Sequence, residues 1–211
     1  MMNEMKRLAF YFNSDACSGC KTCQIACKDK NNLDIGINWR KVYEITGGSW
    51  EKDGDAWRSN VIAYNISISC NHCEDPICLK SCPSKAISKE ENGIVIIDQE
   101  KCMGCKYCSW SCPYSALQYD AKKGVMTKCD MCIDYVSKGK NPSCVDACPT
   151  RALDFGEYDE LVKKYGENSH LHPLPDQNIT KPSFLINPHK NAMKEENKTA
   201  EISNTEEVKN A

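Results

Sequence analysis

Only four of the 211 residues are phenylalanine and 27% are charged, so an ordinary apolar core is thin for a chain of this length. Something besides apolar burial must help to hold it together. Basic excess is missing too: 27 Lys and Arg against 29 Asp and Glu leave a formal charge of −2. Without a cationic field, no nucleic-acid partner is expected. No stretch approaches the roughly 18 apolar residues of a membrane span. The best, VIAYNISIS from Val61, is broken by polar residues, so no direct membrane span is expected. The opening MMNEMKRLAFYFNSDACSGC offers only Leu8 to Phe12 as an apolar run, too short for the hydrophobic region of a secretory signal. Folding in a reducing cytosol is the expectation.

What the chain has in quantity is cysteine, 16 residues of it. That number fits a secreted disulfide scaffold, a zinc protein or an iron–sulfur protein, and a reducing compartment disfavours the first. All the cysteines fall into four motifs: Cys17, Cys20, Cys23, Cys27; Cys70, Cys73, Cys78, Cys82; Cys102, Cys105, Cys108, Cys112; and Cys129, Cys132, Cys144, Cys148. None is left over.

The first and third motifs read C-x2-C-x2-C-x3-C, the bacterial ferredoxin run in which three close thiolates hold one [4Fe–4S] cube and the fourth reaches a neighbouring cube. A two-residue loop curls the backbone around a cube and turns amide N–H groups toward its anionic sulfurs. An x3 step puts two cysteines one helical turn apart on the same face. Pro83, Pro113 and Pro149 follow the last cysteine of three motifs and stop the helix there, whereas Lys28 follows Cys27 and lets a helix run on into KDKNNL. Zinc prefers paired C-x2-C knuckles a dozen or more residues apart, and only CDMC of the fourth motif passes for one. A zinc-stabilised interaction module is the competing reading from a different class. His72 stands between two cysteines as a neighbouring or surface group rather than an iron ligand, and His170, His172 and His189 are expected in solvent.

Between the first two motifs lie Trp39, Tyr43, Trp50, Trp57 and Tyr64. Alternating Ile62, Tyr64, Ile66 and Ile68, together with WRKVYEITGGSW turning at Gly47-Gly48, predict a small antiparallel sheet whose aromatics wall off the cysteines. Tyr158, Leu161, Val162 and Tyr165 lie at helical spacing, the proline-bearing HPLPDQNITKPSFLINP should run extended, and the polar end from His189 is expected to be disordered.

Motifs two and three, CNHCEDPICLKSCPSKAI and CMGCKYCSWSCPYSAL, resemble a complete two-cluster ferredoxin. The resemblance implies that Cys70, Cys73, Cys78 and Cys112 hold one cube and Cys82, Cys102, Cys105 and Cys108 another. The first and fourth motifs then form a second unit, with Cys17, Cys20, Cys23 and Cys148 on one cube and Cys27, Cys129, Cys132 and Cys144 on the other. The implied fold is α+β: two interlocked ferredoxin-like units, a small antiparallel sheet insert and an extended C-terminal tail. Its expected segments are 1–30 with 119–156 (outer unit), 31–69 (β insert), 70–118 (inner unit), 157–188 (helix and extended arm) and 189–211 (disordered tail).

Four such motifs in this order, with an aromatic insert after the first, resemble the four-cluster electron-transfer subunits of molybdopterin oxidoreductases. CSGCKTCQIACKDKNNL, GVMTKCDMCIDYV and CVDACPTRALDFG further resemble the iron–sulfur B subunits of anaerobic dimethyl sulfoxide reductases. The resemblance implies a non-catalytic relay with four [4Fe–4S] clusters. Electrons would come from a polytopic quinol-oxidising membrane anchor, toward which the pair holding Cys105 lies. They would go to a molybdopterin catalytic subunit, toward which the pair holding Cys17 and Cys148 lies, for reduction of dimethyl sulfoxide or related S- and N-oxides. Polysulfide, thiosulfate, tetrathionate or selenate reductases use the same relay. In the nitrate reductase relatives a tryptophan replaces one cysteine of the third motif; Cys105 is present here. Peripheral membrane association through partners is implied, with the side of the membrane left open. No acid–base pair or nucleophile constellation is visible, and an electron relay needs none.

Overall fold

In the computed structural model, which describes residues 7–193 and 200–210, the first strand pairs with two strands from the last third of the sequence. The first strand, β1 (Leu8–Asn13), buries Ala9, Phe10, Tyr11 and Phe12, so both of its faces are covered. Helix α1 (Thr22–Lys30) runs past Cys27, as the lysine in place of proline allows. Strand β2 (Lys41–Gly47), a hairpin of β3 (Trp50–Asp53) and β4 (Ala56–Ser59), and β5 (Ile62–Ile68) form the insert. Short elements then alternate: α2 (Ile77–Lys80), the hairpin β6 (Ile87–Lys89) and β7 (Val95–Ile97), and α3 (Tyr107–Ser111). The hairpin β8 (Gln118–Asp120) and β9 (Val125–Thr127), α4 (Ile133–Val136) and α5 (Ser143–Asp146) follow. Strand β10 (Leu153–Glu157), α6 (Tyr158–Tyr165), β11 (Phe184–Asn187), β12 (Glu201–Ile202) and α7 (Thr205–Asn210) complete the chain.

Strand β1 is the centre of a three-stranded sheet. It pairs antiparallel with β10 (Phe12↔Leu153) and parallel with β11 (Phe10↔Phe184). One face, with Phe10, Phe12, Phe184 and Ile186, joins the main core, and α6 covers the other by setting Leu161 against Ala9, Tyr11 and Leu185. Asp159 and Glu160 open α6 and Lys163 and Lys164 close it, the order its dipole favours. The segment before β11, expected to run extended, instead turns at His172 and Pro173 and makes one 3-10 turn at Gln177–Ile179, and it is laced to the second cysteine motif by Glu74 N–H to Lys181 O, Asp75 N–H to Thr180 O and Ser183 N–H to Asn71 O. Short helices and small sheets, none closed into a barrel, make an α+β arrangement in which the loops and short helices carry the cysteines.

Three further expectations need correction. The insert is antiparallel, with Ile45 opposite Tyr64, but its aromatics do not all wall off the cysteines. Trp50 and Trp57 are 63% and 62% exposed, because β3 and β4 pair only with each other and have no second layer to pack on. Trp39 does turn inward, its indole N–H donating to Thr127 Oγ1 at 3.1 Å. Two histidines are held rather than solvated. His189 stacks on Tyr64, His172 contacts the Ala200 carbonyl at 3.0 Å through Nε2, and only His170 is exposed.

The third correction is the end of the chain. Residues 194–199 and 211 lie outside the described residues, yet β12 adds to the free edge of β2 (Ile202↔Ile45) and α7 packs behind it. Ala200 and Val208 are buried, Asn204 exchanges hydrogen bonds with Glu44 N–H and Val42 O, and Lys21 bridges Glu44 and Glu207. A β-carbon at Gly47 would stand 2.9 Å from Ala200 Cα, so this approach requires glycine. Open backbone groups on an edge strand and two or three apolar side chains suffice to dock a segment of polar composition.

Removing residues 200–211 strips about 2 kcal/mol of apolar burial and hydrogen bonding from the sheet. The melting temperature should fall by roughly 4–8 °C and the amides of β2 should exchange faster. An unchanged melt would mean that the end contributes nothing.

Candidate metal centres

The residue before the second cysteine of every motif has left-handed backbone: Gly19 (φ 70°), His72 (φ 42°), Gly104 (φ 68°) and Met131 (φ 58°). In the two close-spaced motifs the residue after that cysteine, Lys21 or Lys106, is left-handed as well. Alternating hands turn successive N–H groups toward one point, the concave anion-binding geometry called a nest. Beyond three motifs a second reversal recurs at Lys85, Ser115 and Arg151. It lets the next amide double back: Ala86 N–H donates to Cys82 Sγ at 3.3 Å and Ala152 N–H to Cys148 Sγ at 3.2 Å, and Ala116 serves Cys112 likewise. The sequence carries this device as CPSKA, CPYSA and CPTRA, a repeat that extends beyond the proline.

The thiols gather across motifs. Cys17 is close enough to Cys20, Cys23 and Cys148 for their charges to act on it, and Cys27 lies likewise among Cys132, Cys144 and Cys129. Cys78 faces Cys70, Cys73 and Cys112, and Cys108 faces Cys82, Cys102 and Cys105. These four sets stand in single file. Helices α1 and α5 pack together, and they carry Cys23 with Cys27 and Cys144 with the approach to Cys148, tying the first set to the second. The second set meets the third where Cys129 feels Cys70, and packed α2 and α3 tie the third to the fourth. The second set is wholly buried, whereas Cys20 at one end of the file is exposed and Cys102 and Cys105 at the other are half-buried.

Burial pushes Cys27, Cys73 and Cys78 up to about 12 and Cys17 and Cys108 to about 11, with neighbouring thiols adding to each. Left to themselves these groups stay protonated. Cys20 moves the other way, lowered by the Thr22 hydroxyl at 3.3 Å. For Cys82 burial raises, but the Ser84 hydroxyl and the amides of Ala86 and Ile87 outweigh it. Such donors suit sulfur that carries negative charge.

A zinc tetrathiolate needs Zn–S distances of about 2.3 Å, hence sulfurs within about 4 Å of one another. Among the described residues no three His, Cys, Asp or Glu side chains close on a point that one ion could fill. The sulfurs surround a space instead. One hollow is lined by Cys82, Cys102, Cys105 and Cys108, and another by Cys17, Cys20, Cys23 and Cys148. Four thiols around a cavity, with amide and hydroxyl donors on the sulfurs, fit an inorganic cluster whose core takes up the thiolate charge.

Three buried polar residues beside these sets do not follow from motif spacing. His72 is fully buried rather than at the surface; its Nδ1 accepts Val95 N–H at 3.0 Å, and burial, with Lys128 nearby, holds it well below the usual imidazole range. Lys128, also buried, donates through Nζ to the carbonyls of Val95 and Cys129. Arg40 is 1% exposed and lies between the first two sets. Lys28, by contrast, spends its charge on the carbonyls of Asp34 and Ile37.

The loop geometry can be tested at two glycines of equal hand. A β-carbon at Gly104 would collide with the carbonyl oxygen of Gly124, whereas one at Gly124 meets nothing within 4 Å. Gly104→Ala should therefore lose metal per chain after anaerobic purification. Gly124→Ala should keep it and cost about 1 kcal/mol of stability; equal retention in both would show that the loop has slack.

Residues 61–158 match the 4Fe-4S dicluster domain family. The anaerobic dimethyl sulfoxide reductase B subunit of Escherichia coli is 50% identical over 199 residues, covering 94% of this chain and 97% of that protein. Its counterpart of the same name in Haemophilus influenzae is 49% identical over 205 residues, 97% of this chain and 100% of that one. The sulfite dehydrogenase B subunit of Allochromatium vinosum is 35% identical over 175 residues, 72% of this chain and 70% of that protein. With half the residues identical along nearly the whole of both partners, the protein belongs to the family of anaerobic dimethyl sulfoxide reductase B subunits.

Proposed function

We propose that this chain relays electrons through four [4Fe–4S] clusters, from a polytopic quinol-oxidising membrane anchor to a molybdopterin catalytic subunit that reduces dimethyl sulfoxide or a related S- or N-oxide. The observation that carries the reading is the succession of four thiol sets, of which the second is wholly buried while Cys20 of the first is exposed and Cys82, Cys102 and Cys105 of the fourth are half-buried. Each cluster, when bound, takes up and gives back one electron. The protein's part is to hold the sulfurs, exclude water and supply hydrogen bonds that set the potentials.

In this reading Cys17, Cys20, Cys23 and Cys148 hold the first cluster, and Cys27, Cys129, Cys132 and Cys144 the second. Cys70, Cys73, Cys78 and Cys112 hold the third, and Cys82, Cys102, Cys105 and Cys108 the fourth. The four-way gathering of charge-coupled thiols supports that sharing, as does the helix pairing between successive sets. The outer pair spans residues 1–30 and 119–156 and the inner pair 70–118.

The direction is carried over from the resemblance, which puts the pair holding Cys105 toward the anchor. Beside the fourth set Met103, Tyr107 and Trp110 are 65%, 53% and 76% exposed, an apolar patch of the kind that marks a docking site. We assign it to the membrane anchor. Among the described residues no helix is long and apolar enough to cross a membrane, so association with one is peripheral and through partners in this reading. The relative named as a sulfite dehydrogenase subunit favours a second reading, the same relay serving another sulfur substrate on a different catalytic chain.

Iron and acid-labile sulfide on anaerobically purified protein should each come to about sixteen per chain, four for each cluster. An EPR spectrum after dithionite reduction should show interacting reduced centres, whereas zinc without sulfide would sink the relay. Met103→Glu combined with Trp110→Glu should release the subunit from anchor-bearing membranes while its iron content stays. Retention of the doubly charged variant would place the anchor elsewhere.

A further inference from the structure

Arg40 is the largest side chain buried almost completely in the molecule, at 1% exposure. An unpaired guanidinium in that position is severely disfavoured, because desolvation is uncompensated. Its oxygen partners are all neutral: Nη1 donates to Ser67 Oγ at 3.2 Å and to the Ser67 carbonyl, and Nη2 to Ser69 Oγ at 3.1 Å, while the Cys144 side chain also lies within hydrogen-bonding reach. Nε is buried without any partner, and the flat face lies 4.8 Å from the centre of the Phe10 ring. Among the described residues no carboxylate forms an ion pair with it.

The groups of opposite sign within its reach are thiols. Cys144 and Cys27 belong to the second set, as does Cys129, and Cys23 belongs to the first. Ser67 makes the contact physical, since the hydroxyl that accepts from Arg40 also lies 3.3 Å from Cys23 Sγ. The side chain is fixed in this place from both directions. Trp39 is tied to Thr127, and β2, which begins at Lys41, is tied to α1 through Val42 N–H and the Gln24 side chain at 3.1 Å.

We infer that Arg40 is a permanent positive charge lodged between the first two cluster sites, where it stabilises their reduced states and so raises both potentials. The inference rests on the relay reading. Reduction of either centre adds one electron and no atom, while Arg40 keeps its proton throughout. A nearby cation therefore favours the reduced form, which carries one more negative charge. The cysteines that act on Arg40 most strongly all belong to the first two sites, so its effect is concentrated there, a local downhill step toward the end that holds Cys17 and Cys148. Arg40 touches no substrate, so its role is positioning of charge.

The test is EPR-monitored redox titration of the full-length protein, purified anaerobically with its clusters, in three forms: wild type, Arg40→Met and Arg40→Lys. Methionine keeps much of the volume and removes the charge, and lysine keeps the charge and removes the fork. In Arg40→Met two of the centres should become harder to reduce by about tenfold or more in equilibrium constant, which is ~59 mV downward for one electron. The other two should stay in place, and Arg40→Lys should recover most of the shift. Unchanged potentials in a fully loaded Arg40→Met protein overturn the inference and leave the relay standing. So does a shift in Arg40→Lys equal to that in Arg40→Met, which marks a role of shape. If Arg40→Met loses iron, retention of iron and potentials by Arg40→Lys supports the charge, and loss by both overturns it. A wild type without labile sulfide overturns the relay reading and this inference together.

Discussion

Sulfur that carries negative charge away from water is costly unless positive charge or hydrogen-bond donors are brought to it, and this molecule is arranged around that requirement. Its buried cysteines sit where burial drives thiols up to about 12, so they bind metal as thiolates only with a core that absorbs their charge. The remaining charge is met by means the backbone supplies locally. Left-handed residues aim amides inward, the alanines after the Cys-Pro turns donate back to the sulfurs, and hydroxyls of Thr22, Ser67 and Ser84 stand beside individual cysteines. The short helices follow from the same demand. None of α2, α3, α4 or α5 is long enough to be stable alone, and each is held at its place by the motif it ends or begins.

The apolar contacts play a supporting part. Phe10, Phe12, Ile45, Ile66 and Phe184 form one continuous core, and cysteines are themselves members of it. Core and cysteine sites are therefore one cooperative unit, unlike a fold that carries its metal on an otherwise complete scaffold. The thin aromatic content of the chain is consistent with this, since part of what apolar side chains do elsewhere is done by thiols and their ligands.

Much of this was legible in the sequence. Cysteine spacing is a local signal with a strict physical meaning: the C-x2-C steps fall on loops with left-handed residues and the x3 steps on the short helices α1, α2, α3 and α5. The helix at Tyr158–Tyr165 also follows from its periodicity. What escaped was long-range. Docking of β12 depends on an edge of β2 left open more than 150 residues earlier in the chain, and no periodic pattern in a two-residue strand announces it. The exposure of Trp50 and Trp57 reverses a sound compositional expectation, because a hairpin that pairs only with itself has nothing to bury its aromatics against. Arg40 reads as an ordinary surface residue between Trp39 and Lys41; only assembly of α1, β5 and α5 around it removes it from water.

The central strand of the sheet has a consequence for biogenesis. Strand β1 leaves the ribosome before all four cysteine motifs, yet both of its neighbours, β10 and β11, are made after them. In the proposed sharing of clusters Cys17, Cys20 and Cys23 likewise wait for Cys148, while the thiols from Cys70 to Cys112 can all gather once the middle of the chain has emerged. In that reading nesting sets an order in time, with the inner pair maturing before the outer pair. A polypeptide cut short anywhere before Phe184 leaves β1 without its parallel neighbour, an open apolar edge on which a cell's quality control can act.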